Sequence, residues 1–464
     1  SGEPLMVILN DNGMSITQSV GGVAEHLARQ RLKPQYLSFK RGYRKVMNAF
    51  SLGRHLYRIT HKIKTAVKET LLPCSLFEDM GFTYLGPVDG HDVKGLTRLM
   101  TYARDLEGPV LLHVRTVKGK GYAPAEAEPD RFHGVGRFDP ATGKALTASG
   151  RDFSHTAGDL LCELAKEEPR LCAVTAAMQP GTGLDGFARD FPQRFFDVGI
   201  AEGHAVTMCA GMAKQGLIPV FAVYSTFLQR SYDMLLHDVA LQGLHVVFCV
   251  DRAGMVGEDG ETHHGVFDVG FLDTIPGMTV LAPASFAELR AMLKYAICEA
   301  KGPVAVRYPR SGEGVYTADS GREPTVCLRE GGDITLVGYG TQINVLLEAA
   351  DRLEGEGISA EVVKLNAITP PSRGVLFESV KKTGMLLIAE ESMDHNCVGR
   401  RVTSDLSLHG ITTRKITLLN LGDKIPPQGT VEQLRRMNGL DAESIVQRVK
   451  EVAGREKAFG RSSG

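Results

Sequence analysis

The sequence predicts an α/β protein made of three doubly wound blocks, each built around a parallel sheet. Short runs of Val, Ile, Leu and Phe, such as Leu171–Thr175 and Ile218–Tyr224, are bounded by Gly or Pro, which is typical of strands buried on both faces. Segments with helical periodicity, such as 286–300, alternate with these runs. The length of 464 residues also fits three domains.

Polar stretches with little periodicity set the block boundaries, which we predict at 1–150, 151–322 and 323–464. The first block opens directly on a buried-strand pattern at 5–10. Because a domain seldom begins inside its central sheet, we expect this block to be incomplete in the chain.

Apolar runs give the strands, and apolar residues three and four apart give the helices. We predict strands at 5–10, 83–85, 110–115, 171–175, 195–200, 218–224, 244–250, 278–281, 304–307, 333–337, 360–364, 385–390 and 415–419. We predict helices at 93–105, 156–166, 204–214, 227–242, 286–300 and 343–355.

Composition excludes several classes of protein. A hydrophobic fraction of 43% and a charged fraction of 23% are those of an ordinary globular protein. The sequence has no run of 18 or more apolar residues, so we predict no membrane span. The eight cysteines include no CxxC pair, which favours buried thiols in a reducing cytosol over disulfides or a zinc site. We therefore expect a cytoplasmic protein.

A basic stretch at 40–68 alternates with apolar residues and suggests amphipathic helices with a solvated basic face. A nucleic-acid site there is the alternative. The net charge of −1 for the whole chain disfavours nucleic acid or an anionic membrane as a partner.

The segment DVGIAEGHAV at 197–206 places an acid, Glu202, between a strand and a helix. In a parallel sheet this is the edge where ligands bind. The sequence neighbours of Glu202 are small or apolar, so we expect a buried carboxyl with no ion-pair partner among these neighbours, suited to sharing a proton. The alternative is an acid that only stabilises a helix N-terminus.

Other loops follow predicted strands in the same way. NDNGMS at 10–15 offers hard oxygen ligands suited to Mg²⁺ beside a diphosphate, although an Asx-rich turn is the alternative. KGKGY at 118–122 has glycines that allow a ligand to approach the backbone closely. YSTFLQR at 224–230, DRAG at 251–254, GEDGETHHG at 257–265 and RYPR at 307–310 bring an aromatic ring, arginines and histidines to one sheet edge.

Taken together, these motifs closely resemble the 1-deoxy-D-xylulose-5-phosphate synthase family of the transketolase superfamily. The resemblance spans essentially the whole chain and also includes GPVDGHD, FHGVGRFD and YSTFLQRSYD. It implies three transketolase-type domains: the C-terminal part of a diphosphate-binding domain with a linker, a pyrimidine-binding domain and a transketolase C-terminal domain. It also implies a homodimer with thiamine diphosphate and Mg²⁺, which condenses pyruvate with D-glyceraldehyde 3-phosphate and releases CO₂.

The resemblance further implies residue roles. Glu202 would bind N1′ of the aminopyrimidine, and Glu202, His133 and His263 would be catalytic. The cofactor would be held by Asn12, which would also bind Mg²⁺, and by Met14, Tyr122, Glu202 and Phe227. The substrates would be held by Tyr224, Arg230, Asp259, His263 and Arg310, with Arg252 nearby.

Two departures from the family pattern stand out. Gly203 occupies the position after the acid, where the family has Gln. The Gly-Asp-Gly motif, whose Asp is a second Mg²⁺ ligand, belongs upstream of the strand at 5–10, so we expect the chain alone to lack activity. The alternatives are a transketolase, the beta chain of a 2-oxoacid dehydrogenase, and a non-catalytic binding or regulatory paralogue.

Overall fold

A computed structural model describes residues 3–14, 75–146, 150–369 and 373–460. The chain divides into two compact units, Ser1–Ala148 and Ser149–Gly464. The basic stretch predicted at 40–68 lies outside the described residues. Within the described residues, no helix is long and apolar enough to cross a membrane.

The first unit contains a parallel sheet with the strand order β1-β3-β2. Its strands are β1 (Met6–Asp11), β2 (Thr83–Asp89) and β3 (Val110–Arg115), and its helices are Ser75–Asp79, Val93–Arg104 and Ala123–Ala127. The central strand, β3, is buried at five of its six positions. Asp11 and Asp89 both pair in register with Arg115, so the carboxyl ends of the three strands meet at one edge.

The second unit begins with a seven-stranded sheet in the order β13-β8-β9-β7-β6-β4-β5. Its strands are β4 (Leu171–Thr175), β5 (Phe195–Asp197), β6 (Ile218–Tyr224), β7 (Val247–Asp251), β8 (Thr279–Leu281), β9 (Val304–Arg307) and β13 (Ala367–Thr369). Its α-helices are Phe153–Glu167, Asp185–Asp190, Glu202–Lys214, Ser225–Leu228, Tyr232–Met234, Asp268–Asp273 and Phe286–Cys298.

The same unit contains a five-stranded sheet in the order β10-β12-β11-β14-β15. Its strands are β10 (Thr325–Arg329), β11 (Ile334–Gly338), β12 (Ala360–Leu365), β14 (Met385–Ala389) and β15 (Lys415–Leu419). Its α-helices are Gln342–Gly355, Gly374–Thr383, Val398–Leu408, Val431–Met437 and Ala442–Gly460. One hydrophobic cluster, with Phe221 and Val250 from the first sheet and Val363 and Leu386 from the second, joins the two sheets.

The structure differs from the predicted elements at several places. Helices such as Gly374–Thr383, Val398–Leu408 and Ala442–Gly460 were not predicted. Each sheet of the second unit carries one antiparallel edge strand that was not predicted, β13 beside β8 and β10 beside β12. β13 follows β12 of the five-stranded sheet in the chain, but it forms an edge strand of the seven-stranded sheet. The strand predicted at 195–200 ends at Asp197, because the Asp197 carboxylate accepts a hydrogen bond from the Gly199 amide and turns the chain. The helix predicted at 227–242 begins earlier, at Ser225, and passes through 3-10 and π turns.

Candidate active site

Glu202 lies at the carboxyl edge of the seven-stranded sheet, as the sequence predicts, and is 4% exposed. It opens the helix Glu202–Lys214, directly after the turn that ends β5. Asp197 fixes this turn, because its Oδ1 accepts hydrogen bonds from the Ala177 amide at 2.8 Å and the Gly199 amide at 2.9 Å. Ala177 has φ +60°, a conformation that is uncommon for residues other than Gly and concentrates at functional sites.

Glu202 has an ion-pair partner that does not come from its sequence neighbours. Arg230 Nη1 donates to Glu202 Oε1 at 2.7 Å, and the Arg230 side chain is 52% exposed. The Arg230 guanidinium also lies 4.8 Å from the centre of the Phe227 ring. The helical turns that follow β6 carry Arg230 back over the strand ends, so the partner comes from 28 residues farther along the chain. Sequence neighbours could not reveal it.

Three aromatic side chains from the predicted motifs come together beside this ion pair. The Phe227 ring stacks on Tyr224 with a centroid distance of 5.9 Å and contacts His263 edge-on at 5.5 Å. The motif at 224–230 and the histidine loop at 257–265 are therefore brought together as predicted.

Arg252 lies behind Tyr224 in a strained conformation. Its φ is +60°, and its guanidinium is 3.8 Å from the centre of the Tyr224 ring. Arg252 Nη1 donates to the Gly181 carbonyl at 2.6 Å and to Asp251 Oδ1 at 2.9 Å. Burial raises the pKa of Tyr224, and it raises the pKa of Asp251 to about 6 although Arg252 opposes the shift. Gly181 and Asp251 were not among the predicted site residues.

Gly181 is required by this packing. A Cβ at this position would collide with the Tyr224 hydroxyl. The only signal in the sequence is the run PGTG at 180–183, which a sequence reader would take for an ordinary turn.

A third arginine, Arg310, pairs with Asp259 on a neighbouring loop. Arg310 Nη1 donates to Asp259 Oδ1 at 2.6 Å, and the Arg310 side chain is 44% exposed. Asp259 ends a short 3-10 turn, Gly257–Asp259. His263 Nδ1 lies 2.9 Å from Thr262 Oγ1, and Thr226 Oγ1 donates to the Thr262 carbonyl at 3.2 Å.

In the first unit, the loop after β1 forms two Asx turns. Asp11 Oδ1 accepts from the Gly13 amide and Asn12 Oδ1 accepts from the Met14 amide, each at 2.9 Å. The alternative interpretation of this motif is therefore present in the structure. It remains compatible with metal binding, because an amide oxygen has two lone pairs.

The Asp11 side chain belongs to a chain of hydrogen-bonded polar groups that runs across the three strands of the sheet. Its Oδ2 lies 2.9 Å from His113 Nε2 on β3, and His113 Nδ1 lies 2.6 Å from the Tyr84 hydroxyl on β2. Each of the three strands thus contributes one residue, and the chain fixes the carboxylate next to Asn12.

The remaining predicted residues of the first unit are Tyr122 and His133. The Tyr122 hydroxyl donates to the Pro140 carbonyl at 2.9 Å, and its ring meets Phe132 edge-on at 5.6 Å. His133 is largely exposed. The partial loss of its hydration, followed by the positive charge of Lys118, lowers the pKa of its imidazole.

The residues of the second unit fit an aminopyrimidine ring. Glu202 offers a buried carboxylate as hydrogen-bond acceptor, and Phe227 offers a partly buried ring beside it. Arg230 pairs with the Glu202 carboxylate in this structure. Its side chain is half exposed and can rotate into solvent. In the first unit, the oxygen atoms of Asn12 and its neighbours are the ligand type that Mg²⁺ prefers.

Comparison with known proteins gives consistent matches along the chain. Residues 1–116 match the family described as 1-deoxy-D-xylulose-5-phosphate synthase. Residues 149–312 match the transketolase pyrimidine binding domain, and residues 325–445 match the transketolase C-terminal domain.

Curated relatives carry the same name. The 1-deoxy-D-xylulose-5-phosphate synthase of Heliobacterium modesticaldum is 43% identical over 466 residues, which is 99% of this chain and 72% of that protein. The synthase of Desulforudis audaxviator is 44% identical over 462 residues, which is 98% of this chain and 72% of that protein. This chain belongs to the 1-deoxy-D-xylulose-5-phosphate synthase family. It is therefore a transferase that depends on thiamine diphosphate and acts on small molecules, and the predicted family is confirmed.

A solved structure supports the fold. The chain described as "Split gene transketolase, inactive beta4 tetramer" is 32% identical, with a TM-score of 0.58, over 65% of this chain and 98% of that one. The predicted α/β fold of the transketolase type is confirmed, with mixed rather than purely parallel sheets in the second unit.

Proposed function

We propose that this chain condenses pyruvate with D-glyceraldehyde 3-phosphate to form 1-deoxy-D-xylulose 5-phosphate, with loss of CO₂. The observation that carries the proposal is the buried Glu202 carboxylate beside Phe227, with Arg310 and Arg252 on neighbouring loops of the same sheet edge. A buried acid next to an aromatic ring suits a heteroaromatic cofactor, and nearby arginines suit a phosphorylated substrate.

The cofactor-facing residues have separable tasks in this proposal. Glu202 accepts a hydrogen bond from the aminopyrimidine and stabilises the tautomer needed for proton removal. Phe227 packs against the same ring, whereas Met14 and Tyr122 contact the rest of the cofactor. Asn12 binds the Mg²⁺ that accompanies the diphosphate. When bound, thiamine diphosphate supplies the nucleophilic carbon and accepts the electron pair released by decarboxylation.

The substrate-facing residues bind and orient the two small molecules. A guanidinium has five N–H donors, so the bond from Arg310 to Asp259 leaves donors for the aldehyde phosphate. Arg230 is the second candidate for that phosphate once it leaves Glu202. Tyr224 and Asp259 shape the pocket, and His263 and His133 move protons to and from the substrate oxygens.

A homodimer is part of the proposal. Ile200 and Leu241 are large apolar side chains, 58% and 66% exposed, and they lie just outside the helices that carry Glu202 and Arg230. A second copy of the chain would cover such side chains. Light scattering at several protein concentrations measures this directly, and a monomer throughout would contradict it.

The activity is tested by incubating the full chain with thiamine diphosphate, Mg²⁺, pyruvate and D-glyceraldehyde 3-phosphate. The family match leads us to expect CO₂ release and a five-carbon 1-deoxyketose phosphate, both dependent on the cofactor, whereas the sequence motifs predicted no turnover by the chain alone, so this assay decides between the two expectations. A parallel reaction in which a ketose phosphate replaces pyruvate distinguishes a transketolase. Transfer from the ketose without CO₂ release, or cofactor binding without any consumption of pyruvate, would contradict the proposal.

A further inference from the structure

The loop at 255–264 carries Asp259 and His263. On the face that points away from these side chains, it contacts the last block of the chain, residues 323–464. We infer that the segment at 427–430 sets the position of this loop, and that Gln428 and His264 are positioning residues for binding of the phosphorylated aldehyde. The inference rests on the proposed function for the roles of Asp259 and His263. It assigns a task in substrate binding to a block that contributes none of the predicted site residues.

Gln428 contacts the loop at the turn next to Asp259. Its Nε2 donates to the Glu258 carbonyl at 2.7 Å. The backbones pack closely at the same place, since a Cβ at Gly257 would lie 3.1 Å from the Gly429 carbonyl oxygen. Gly257 also has φ +68°, so a side chain there would be strained as well as crowded.

His264 makes the second contact and is 2% exposed. The Val256 amide donates to its Nδ1 at 3.1 Å, which requires Nδ1 to be unprotonated. The proton of the neutral ring is therefore on Nε2, which lies 3.3 Å from the Pro427 carbonyl and donates to it. One imidazole thus joins the start of the loop, its end and the last block.

The opposite face of the loop meets the site. Asp259 accepts from Arg310, the Thr262 carbonyl accepts from Thr226, and His263 contacts the Phe227 ring. The contacts to Glu258 and His264 are one residue away from these side chains in the sequence. A shift of the loop on one face therefore moves Asp259 and His263 on the other.

Packing alone does not fix the loop. A cavity of about 400 Å³ lies between Glu258 and Arg310 on one side and Thr341 and Thr430 on the other. Because this space is not filled by side chains, the position of the turn depends on a few directed hydrogen bonds. Loss of one of them lets the turn move toward this cavity.

The test compares Gln428→Ala with Gln447→Ala in the full chain. Both residues are exposed, but Gln447 Nε2 donates to Glu451 Oε1 at 3.4 Å within the helix Ala442–Gly460, outside the segment at 427–430. For Gln428→Ala we expect the KM for D-glyceraldehyde 3-phosphate to rise about three- to tenfold, the usual effect of one hydrogen bond. The KM for pyruvate and the affinity for thiamine diphosphate stay unchanged, and Gln447→Ala changes none of the three constants.

Hydrogen exchange provides a readout that does not depend on activity. Peptides that cover 255–264 should exchange faster in Gln428→Ala than in the wild type or in Gln447→Ala, because the loop opens more often. His264→Asn should keep both bonds, since an amide oxygen can accept from Val256 and its NH₂ can donate to Pro427. His264→Leu should lose both. If neither His264 variant folds, the Gln428 comparison still decides.

Arg310→Ala separates failure of this inference from failure of the proposed function. If Arg310→Ala raises the KM for the aldehyde while Gln428→Ala changes neither that KM nor the exchange of the loop, the positioning role is wrong. If Gln428→Ala speeds exchange but Arg310→Ala leaves the aldehyde KM unchanged, the loop is positioned as inferred and the assigned acceptor site is wrong. Equal increases in the KM of pyruvate and of the aldehyde for Gln428→Ala would also overturn the inference.

Discussion

Arg230 and Glu202 form an ion pair with Nη1 and Oε1 2.7 Å apart, in which the arginine side chain is 52% exposed and the glutamate side chain 5%. Each residue has a separate predicted partner, the phosphate of a substrate for Arg230 and the cofactor ring for Glu202. We therefore expect the pair to hold both groups until the cofactor binds the carboxylate, so that Arg230 is released only after Glu202 binds the cofactor.

Arg230→Met tests this order. Removing the guanidinium leaves Glu202 without its partner, so we expect thiamine diphosphate with Mg²⁺ to bind up to about fivefold more tightly, the range set by a partly exposed ion pair. The same variant should raise the KM for the aldehyde phosphate. Calorimetric titration measures the first effect, with Arg189→Met as the control because Arg189 pairs with Asp190 on the surface. Weaker cofactor binding in Arg230→Met alone would show that the pair supports the site instead of blocking it.

Glu202→Gln tests the proposed acid. The amide keeps the size of the side chain and can still accept a hydrogen bond from Arg230, so the fold should survive. Loss of one general acid or base typically lowers turnover by about 10² to 10⁴. Steady-state kinetics with thermal unfolding of the same preparation measures both effects, and Glu163→Gln on the surface is a matched control. Near-normal turnover in Glu202→Gln would remove Glu202 from the mechanism.

Arg310→Ala tests the acceptor site. Loss of a hydrogen bond to a charged group costs about 1.5–3 kcal/mol, which raises the KM for D-glyceraldehyde 3-phosphate by about ten- to 150-fold. Pyruvate carries no phosphate, so its KM should remain close to that of the wild type. Arg290→Ala is the control, since Arg290 is similarly exposed and pairs with Glu163. An equal increase for both substrates would indicate that Arg310 serves the fold.

The sequence predicts which motifs meet, because the carboxyl ends of parallel strands share one edge of a sheet. This argument placed the loops of Glu202, Phe227 and His263 at one edge, whereas the site roles of Phe227 and His263 came from the family resemblance. The structure brings the three residues together around Arg230. The shared sheet edge predicts where the backbone of each loop lies. It does not predict in which direction a side chain points. The pairing of Arg230 with Glu202 depends on the 3-10 turn at Gln229–Ser231, which has no signature in the hydrophobic pattern.

The missed strand β13 has a related cause. With three residues, Ala367–Thr369 is too short to show periodicity, and its partner β8 belongs to an earlier block. Gly181 and Asp251 were missed as site residues because their role is defined by contacts to Arg252. A glycine required by a neighbouring side chain has the same appearance in sequence as a glycine in a turn.

Gly181→Ala tests the packing behind Tyr224. Its Cβ would collide with the Tyr224 hydroxyl, so either Tyr224 or the turn at Pro180–Thr182 must move. We expect a clear loss of activity, measured as kcat/KM. Gly211→Ala is the control, because a Cβ there has no described neighbour within 4 Å and a helical Gly to Ala change stabilises by about 0.5–1 kcal/mol. Equal activity of the two variants would mean that Tyr224 can be displaced without consequence.

Asp251→Asn tests the buried carboxyl beside Arg252 through the pH dependence of stability. Burial raises the pKa of Asp251 from 3.8 to about 6 in the folded protein, so between these pH values the folded state binds a proton that the unfolded state does not. The stabilising contribution of this protonation is fully present below pH 3.8 and is lost as the pH rises through about 6. Its size is about 3 kcal/mol for a shift of this extent.

Asparagine does not titrate, so this component disappears in Asp251→Asn. The difference in unfolding free energy between wild type and variant should therefore shift by up to about 3 kcal/mol in favour of the variant as the pH rises from about 4 to 7. Urea denaturation at several pH values measures this shift. Asp190→Asn is a control of opposite sign, because the Arg189 hydrogen bond lowers the pKa of Asp190 and its contribution is lost as the pH falls. Parallel profiles for wild type and Asp251→Asn would show that Asp251 is ionised throughout and held by Arg252 alone.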